Sequence, residues 1–232
     1  MDAAALRMAL YPLGFVASLA FTLRFIVQWV RSERRQKSVI NRSFWRFSFM
    51  GNVLMWLHGL IQFQFHICLI QAFNGITSWR NLQLMDRNRP QPALQRTLLL
   101  FPLAALLVGG LFAFQAALCS DIGEQWLRSP RLPWQASAGA VLPWYWHVLG
   151  CVGMGLFALR FWLQWWEAER CQRSELGQLF WWLSLVGGTL SCLYFIPQND
   201  LVNVLGYGTG LIPNIRNLML IAKEKRWSQA QL

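Results

Sequence analysis

The chain has 232 residues, 55% of them apolar and only 13% charged, where a soluble domain carries about a quarter charged residues. Its net charge of +11 lies in short runs between apolar segments rather than on one continuous basic patch. That distribution excludes a nucleic-acid binder and is the positive-inside signature of a membrane protein. The 14 tryptophans point the same way, because the amphipathic indole favours the two membrane–water interfaces.

A spanning helix needs about 20 mostly apolar residues. Seven segments qualify: 9–30, 44–61, 63–82, 97–118, 143–166, 179–197 and 200–221. The first runs into Trp29 without the charged start and cleavage site of a signal peptide, so it is expected to be retained. Between the third and fourth, Pro90 and Pro92 break any helix. The stretch 119–142, with Pro130 and Pro133, is the longest piece expected not to span. In the seventh, Gly206, Gly208 and Gly210 with Pro213 predict a kinked or unwound helix lining a cavity. With no strand before it, this run is not a nucleotide-binding loop.

Lysine and arginine fix an expected orientation. Arg31, Arg34, Arg35, Lys37 and Arg42, then Arg87, Arg89 and Arg96, then Arg170 and Arg173, then Lys223, Lys225 and Arg226 all fall on one side of seven spans. The other side has Arg7, Arg128 and Arg131. The richer side is expected to be cytoplasmic, with the amino terminus outside and the carboxyl terminus inside.

The chain repeats itself. Arg24-Phe25, Gln28-Trp29, Glu33-Arg34, Gln36 and Ser38 return as Arg160-Phe161, Gln164-Trp165, Glu169-Arg170, Gln172 and Ser174, at a constant offset of 136 residues. Phe44-Trp45, Ser48, Gly51 and Gln62 match Phe180-Trp181, Ser184, Gly187 and Gln198, and Arg80-Asn81-Leu82 matches Arg216-Asn217-Leu218. Apolar residues coincide by chance in membrane helices; Arg, Gln, Glu and Asn at fixed offsets do not. The expected fold is all-α, with seven transmembrane helices as two parallel three-helix repeats and a linker helix. The first repeat covers 1–82, the linker helix and loop 83–142, and the second repeat with its tail 143–232. This three-plus-one-plus-three plan is that of the SWEET transporters, an analogy of fold that carries no function.

Eight polar residues are candidate substrate contacts: Arg24, Gln28, Arg80, Asn81, Arg160, Gln164, Arg216 and Asn217. Arg24 and Arg160 lie six residues, about 9 Å, inside the ends of their helices. Either they face a wet interior or they snorkel to the headgroups. Gln28 and Gln164 sit one turn further along the same faces, where a snorkelling residue needs no polar neighbour. Arg80 and Arg216 also suit helix C-termini. Asn81 and Asn217 extend polar faces made by Asn74 and Ser78, and by Asn203 and Asn214, which could equally be interhelical packing. Glu33-Arg34 and Glu169-Arg170 read as solvated charge runs. His58 is matched by Tyr194, which argues against a symmetric proton relay. The five cysteines and three histidines have no metal-ligand spacing, and no nucleophile–base set appears, so neither metal, cofactor nor catalytic residue is expected.

The paired motifs built on Arg24, Gln28, Glu33, Phe44-Trp45 and Arg80-Asn81-Leu82, with their counterparts, resemble the lipid A biosynthesis amino-terminal domain family. This membrane domain precedes the glycosyltransferase in chlamydial lipid-A-disaccharide synthases, occurs also as a separate protein, and is grouped with SWEET and PQ-loop proteins. The resemblance covers most of the chain and brings no established catalytic residues. The chain has no α/β pattern of a glycosyltransferase, so it is not expected to be the synthase by itself. The resemblance implies a component of lipid A or related glycolipid synthesis in the bacterial inner membrane. It would bind and move an anionic lipid or lipid-linked sugar, its arginines holding phosphate and its amides holding hydroxyls. The alternative is a non-transporting anchor for a separate lipid A glycosyltransferase.

Overall fold

The computed structural model describes residues 3–86, 93–118, 142–171 and 176–229. Pro90, Pro92, Pro130 and Pro133, and Arg87, Arg89, Arg128, Arg131, Gln172, Arg173 and Ser174, lie outside the described residues. The described chain is helical throughout: α1 (Ala3–Leu10), α2 (Leu13–Arg35), α3 (Arg42–Gln62), α4 (Phe65–Leu84), α5 (Leu94–Leu118), α6 (Trp144–Cys171), α7 (Gln178–Phe195), α8 (Leu201–Gly208) and α9 (Leu211–Gln229). The turn at Tyr11-Pro12 splits the first rod into α1 and α2, and Thr209-Gly210 splits the last into α8 and α9. The second break falls in the Gly-rich run where the sequence predicts a loosened helix.

Helix ends follow local chemistry. The Asn41 side chain caps α3 by accepting from Phe44 N at 3.0 Å. Helices α2 and α3 stop at left-handed residues, Gln36 (φ 50°) and Phe63 (φ 60°), and Asn199 (φ 56°) follows α7. Each is followed by an N–H that closes back on the helix: Lys37 on Ser32, Gln64 on Gly59 and Asp200 on Phe195. Phe63 and Asn199 are the same position of the two copies.

Among the described residues, four rods are long and apolar enough to cross a membrane: Ala5–Arg35, Leu94–Leu118, Trp144–Cys171 and Gln178–Phe195. The remaining ones are less apolar because they carry the interior polar groups: Ser48, Asn52 and His58 on α3, Asn74, Ser78 and Asn81 on α4, and Asn214 and Asn217 on α9, all buried. The exterior is the reverse, with Val16, Leu19, Val53, Leu106, Val186 and Ile212 among many exposed apolar side chains. Polar inside and apolar outside is the distribution of a protein whose solvent is hydrocarbon.

Neighbouring contacts run α2–α3–α4–α6–α7 and then through α8 and α9 back to α2, closing a ring. Helix α5 stands outside it against α4. There Phe112 meets Phe63 and Phe65 edge-on at 6.0 and 5.3 Å, and Phe101 meets Phe73 at 5.3 Å. Close approach inside the ring needs glycine. A Cβ on Gly187 would stand 2.6 Å from the Phe157 backbone nitrogen, so α6 and α7 touch main chain to main chain.

Candidate functional site

The ring, six rods when α8 and α9 are taken as one, brings the eight candidate residues into three layers. In the innermost layer, Arg24 on α2 and Arg160 on α6 are buried, at 2% and 1% exposure, and line one cavity between the two copies. They face that cavity rather than the lipid. Both guanidinium carbons lie against the Phe161 ring, at 5.6 Å for Arg24 and 4.5 Å for Arg160. Each is boxed by its own aromatics: Phe21, Phe25 and Phe44 around Arg24, and Phe157 and Phe180 around Arg160. Cation–π contact offsets part of the cost of burying a guanidinium.

The two are not equally satisfied. Arg24 Nη1 donates to Ser48 Oγ at 3.1 Å, and Ser48 in turn donates to the Phe44 carbonyl. The Nε and both Nη atoms of Arg160 have no hydrogen-bond partner. The cavity walls add Asn52, Gln71, Asn74, Asn203 and Tyr207 and contain no carboxylate. A buried unpaired cation is costly, and none of these wall residues neutralises it. Its free space is about 20 Å³, room for one water.

The second layer lies one turn further along α2 and α6. Gln28 and Asn217 form a reciprocal amide pair, Gln28 Nε2 donating at 2.7 Å and Asn217 Nδ2 at 3.0 Å. Gln164 and Asn81 repeat it at 2.8 and 3.0 Å. Each pair joins the first helix of one copy to the last helix of the other. Here the amides bond each other. In the third layer Arg80 makes a two-pronged ion pair with Glu169, Nη2 to Oε2 at 3.0 Å, and Arg216 does the same with Glu33 at 3.0 Å. Trp29 and Trp165 hold the two glutamates from the neighbouring turn at 3.1 and 3.0 Å.

The glutamates correct the sequence reading: Glu33 and Glu169 are not free solvated charges but bridge the copies, Glu169 buried and Glu33 still partly exposed. Their recurrence within the repeated motif was the signal available for them. The two ion pairs differ in exposure, 3% and 8% for the Arg80 and Glu169 side chains against 37% and 31% for Arg216 and Glu33.

At the opposite end, Gln64 Nε2 donates to Asp200 Oδ2 at 3.1 Å. Asp200 also accepts from Asn203 N at 3.1 Å and Asn203 Nδ2 at 2.7 Å, so its buried carboxylate is well supplied. Nearby, Tyr11 meets His58 edge-on at 5.4 Å, and His147 meets Tyr194 at 5.8 Å with a 3.0 Å hydrogen bond. The second copy has thus exchanged the two residue types between its first and second helices. Among the described residues no group of His, Cys, Asp and Glu could hold a metal ion.

Comparison with known proteins agrees with the internal repeat. The family model for the lipid A biosynthesis N-terminal domain matches twice, over residues 13–83 and 149–219. Similar proteins include the lipid-A-disaccharide synthase of Chlamydia abortus, 39% identical over 223 residues, which are 95% of this chain and 34% of that protein. Those of Chlamydia felis and Chlamydia trachomatis serovar D are 38% and 39% identical, covering 94% and 93% of this chain and again 34% of each relative. The chain therefore spans about a third of the length of these relatives. No solved structure matches. On two domain matches and this identity, the chain belongs to the lipid A biosynthesis N-terminal domain family.

Proposed function

We propose that the chain is a membrane component of lipid A or related glycolipid synthesis that binds and translocates an anionic lipid or lipid-linked sugar. The observation that carries this is Arg160, whose three guanidinium nitrogens face a carboxylate-free cavity shared with Arg24 and have no partner. A phosphate supplies what such a pair lacks, through charge-assisted hydrogen bonds to two guanidinium groups. The family name supports the pathway.

The frame for this activity is seven spans in two parallel repeats, 1–82 and 143–232, about the linker 83–142. The ring of contacts and the bonding of equivalent positions 64 and 200 support it. The end carrying Arg34, Arg35, Lys37 and Lys225 faces the cytoplasm, by the positive-inside rule. The amide and ion-pair layers then form a cytoplasmic gate over a closed cavity. A gate that opens frees Gln28, Asn81, Gln164 and Asn217 for sugar hydroxyls, and Arg80 and Arg216 for phosphate. Gating of one repeat against the other about a fixed site is the ordinary mode of such architectures.

Proteoliposomes carrying the full chain and a fluorescent anionic lipid-linked sugar test this reading. Movement between leaflets that is lost in Arg24→Gln and Arg160→Gln supports it. No movement of any such lipid, with or without a membrane potential, contradicts it.

A second reading is an anchor for a lipid A glycosyltransferase. The relatives named as synthases, which extend well beyond this chain, favour it. So does the exposed basic run Arg31, Arg34, Arg35, Lys37 and Arg42. Copurification of such an enzyme, unaffected by Arg24→Gln and Arg160→Gln, separates it from the first.

A further inference from the structure

An apolar groove on the exterior is left unused by the translocation reading. It lies between α3, α4 and α5, has a volume of about 320 Å³, and is walled by residues such as Phe49, Trp56, Ile76, Trp79, Leu100 and Leu107. That is the lower end of the size range of small-molecule sites. Its only polar side chains besides the tryptophan indoles are Asn52 and Gln71, and both also line the arginine cavity. The two spaces therefore share a wall of two amides. Gln71 Oε1 and, just beyond it, Asn74 Oδ1 have no hydrogen-bond partner.

Among the described residues, the second copy is closed at the place equivalent to this opening. Gly75 forms part of its wall, and a Cβ there would meet only Asn52 Cβ, at 3.8 Å. The equivalent residue of the second copy is Leu211. Its Cδ2 lies 3.2 Å from where a Cβ on Gly188 would stand, and Gly188 is the counterpart of Asn52. The counterpart of Gln71 is Tyr207, which packs on Phe157 at 4.7 Å and stacks on Phe195 at 5.8 Å. Leucine and tyrosine thus close in the second copy what glycine and glutamine leave open in the first. Helix α5, which supplies the third wall, has no counterpart among the described residues.

Resting on the anion-binding reading above, we propose that this groove is a lateral portal. It seats an acyl chain of the lipid whose phosphate headgroup reaches Arg24 and Arg160 past Asn52 and Gln71. The walls suit hydrocarbon, and acyl chains are the solvent on that face. Packing rather than water exclusion retains the chain, since lipid tails are as apolar as the groove. The amides at the junction offer hydrogen bonds to the headgroup as it passes. A lipid thus enters sideways, through the first copy only, with its tail left in the membrane.

The test uses the full chain in phosphatidylcholine nanodiscs doped with phosphatidic acid carrying a diazirine in its acyl chain. A diacylglycerol with the same label serves as the phosphate-free control. After irradiation, adducts are expected on the α3, α4 and α5 walls, several-fold more from phosphatidic acid than from diacylglycerol. Gly75→Leu, which copies Leu211, should cut them several-fold, and Leu107→Trp should do the same from the α5 side without touching α3 or α4. Arg24→Gln with Arg160→Gln should remove the preference for phosphate. Adducts spread evenly over the lipid-facing surface, indifferent to both groove variants, overturn the portal. If phosphate preference then persists and still depends on the arginines, the anion-binding reading survives without it. Groove adducts with no phosphate preference overturn both.

Discussion

Gln64 and Asp200 occupy the same position in the two copies of the repeat, 136 residues apart, and they bond to each other at 3.1 Å. Two equivalent residues can meet only on the axis that relates the copies. Arg24 and Arg160 form a second equivalent pair, lining one cavity. The contact at 64 and 200 ties the copies at one end, and the amide and ion-pair layers tie them at the other. Replacing Asp200 by Ala strands Gln64 and Asn203 together. A loss of about 1–3 kcal/mol is expected, read as a lower Tm in detergent, while Asp200→Asn keeps an acceptor and should lose less.

The two ion pairs should separate by burial. Glu169→Gln leaves Arg80 without its carboxylate at a site only 3% exposed, and breaking a buried pair costs about 3–5 kcal/mol. Glu33→Gln acts where the partners are 37% and 31% exposed, so its effect should be smaller and fade as salt rises. Thermal denaturation of both variants at low and high salt checks the order. An equal effect of the two would refute the distinction.

The amide pairs should be strongly coupled. Gln28→Ala and Asn217→Ala each strand the other partner, so the double variant should lose much less than the two single losses added. A coupling of about 0.5–3 kcal/mol is typical of residues in one network. Gln28→Ala with Asn81→Ala, drawn from different pairs, should be nearly additive.

Glycine packing gives a matched comparison on facing helices. Gly187→Ala drives a methyl to within 2.6 Å of the Phe157 backbone nitrogen, whereas a Cβ at Gly155 meets nothing within 4 Å. The first should cost about 1–3 kcal/mol by overpacking. The second should be neutral, or stabilising by up to about 1 kcal/mol through helix propensity.

The sequence made the long elements legible because apolar runs of spanning length leave few alternatives. Segment 44–61 became α3 at Arg42–Gln62, and 97–118 became α5 at Leu94–Leu118. Other features depended on distant partners. Helix α6 runs on through the charged residues to Cys171, where Glu169 finds Arg80, 89 residues earlier in the chain. Glu33 looked solvated because its partner, Arg216, is 183 residues away. The break at Tyr11-Pro12 was hidden inside an apolar run. The recurrence of Gln28 and Asn81 as Gln164 and Asn217 was visible, but not that each amide pairs with the other copy's.

An Arg160 kept unpaired to receive an anion, as proposed above, has an unusual signature. An uncompensated buried charge destabilises a fold, so an apolar side chain of similar size in its place is expected to stabilise it, while a ligand bound only by the native state raises Tm. Arg160→Met measured with and without phosphatidic acid in detergent tests both halves at once. The account predicts a variant with a Tm above the parent's that gains nothing further from phosphatidic acid, while the parent's Tm rises with it. A variant less stable than the parent, yet stabilised by phosphatidic acid to the same extent, would contradict the account.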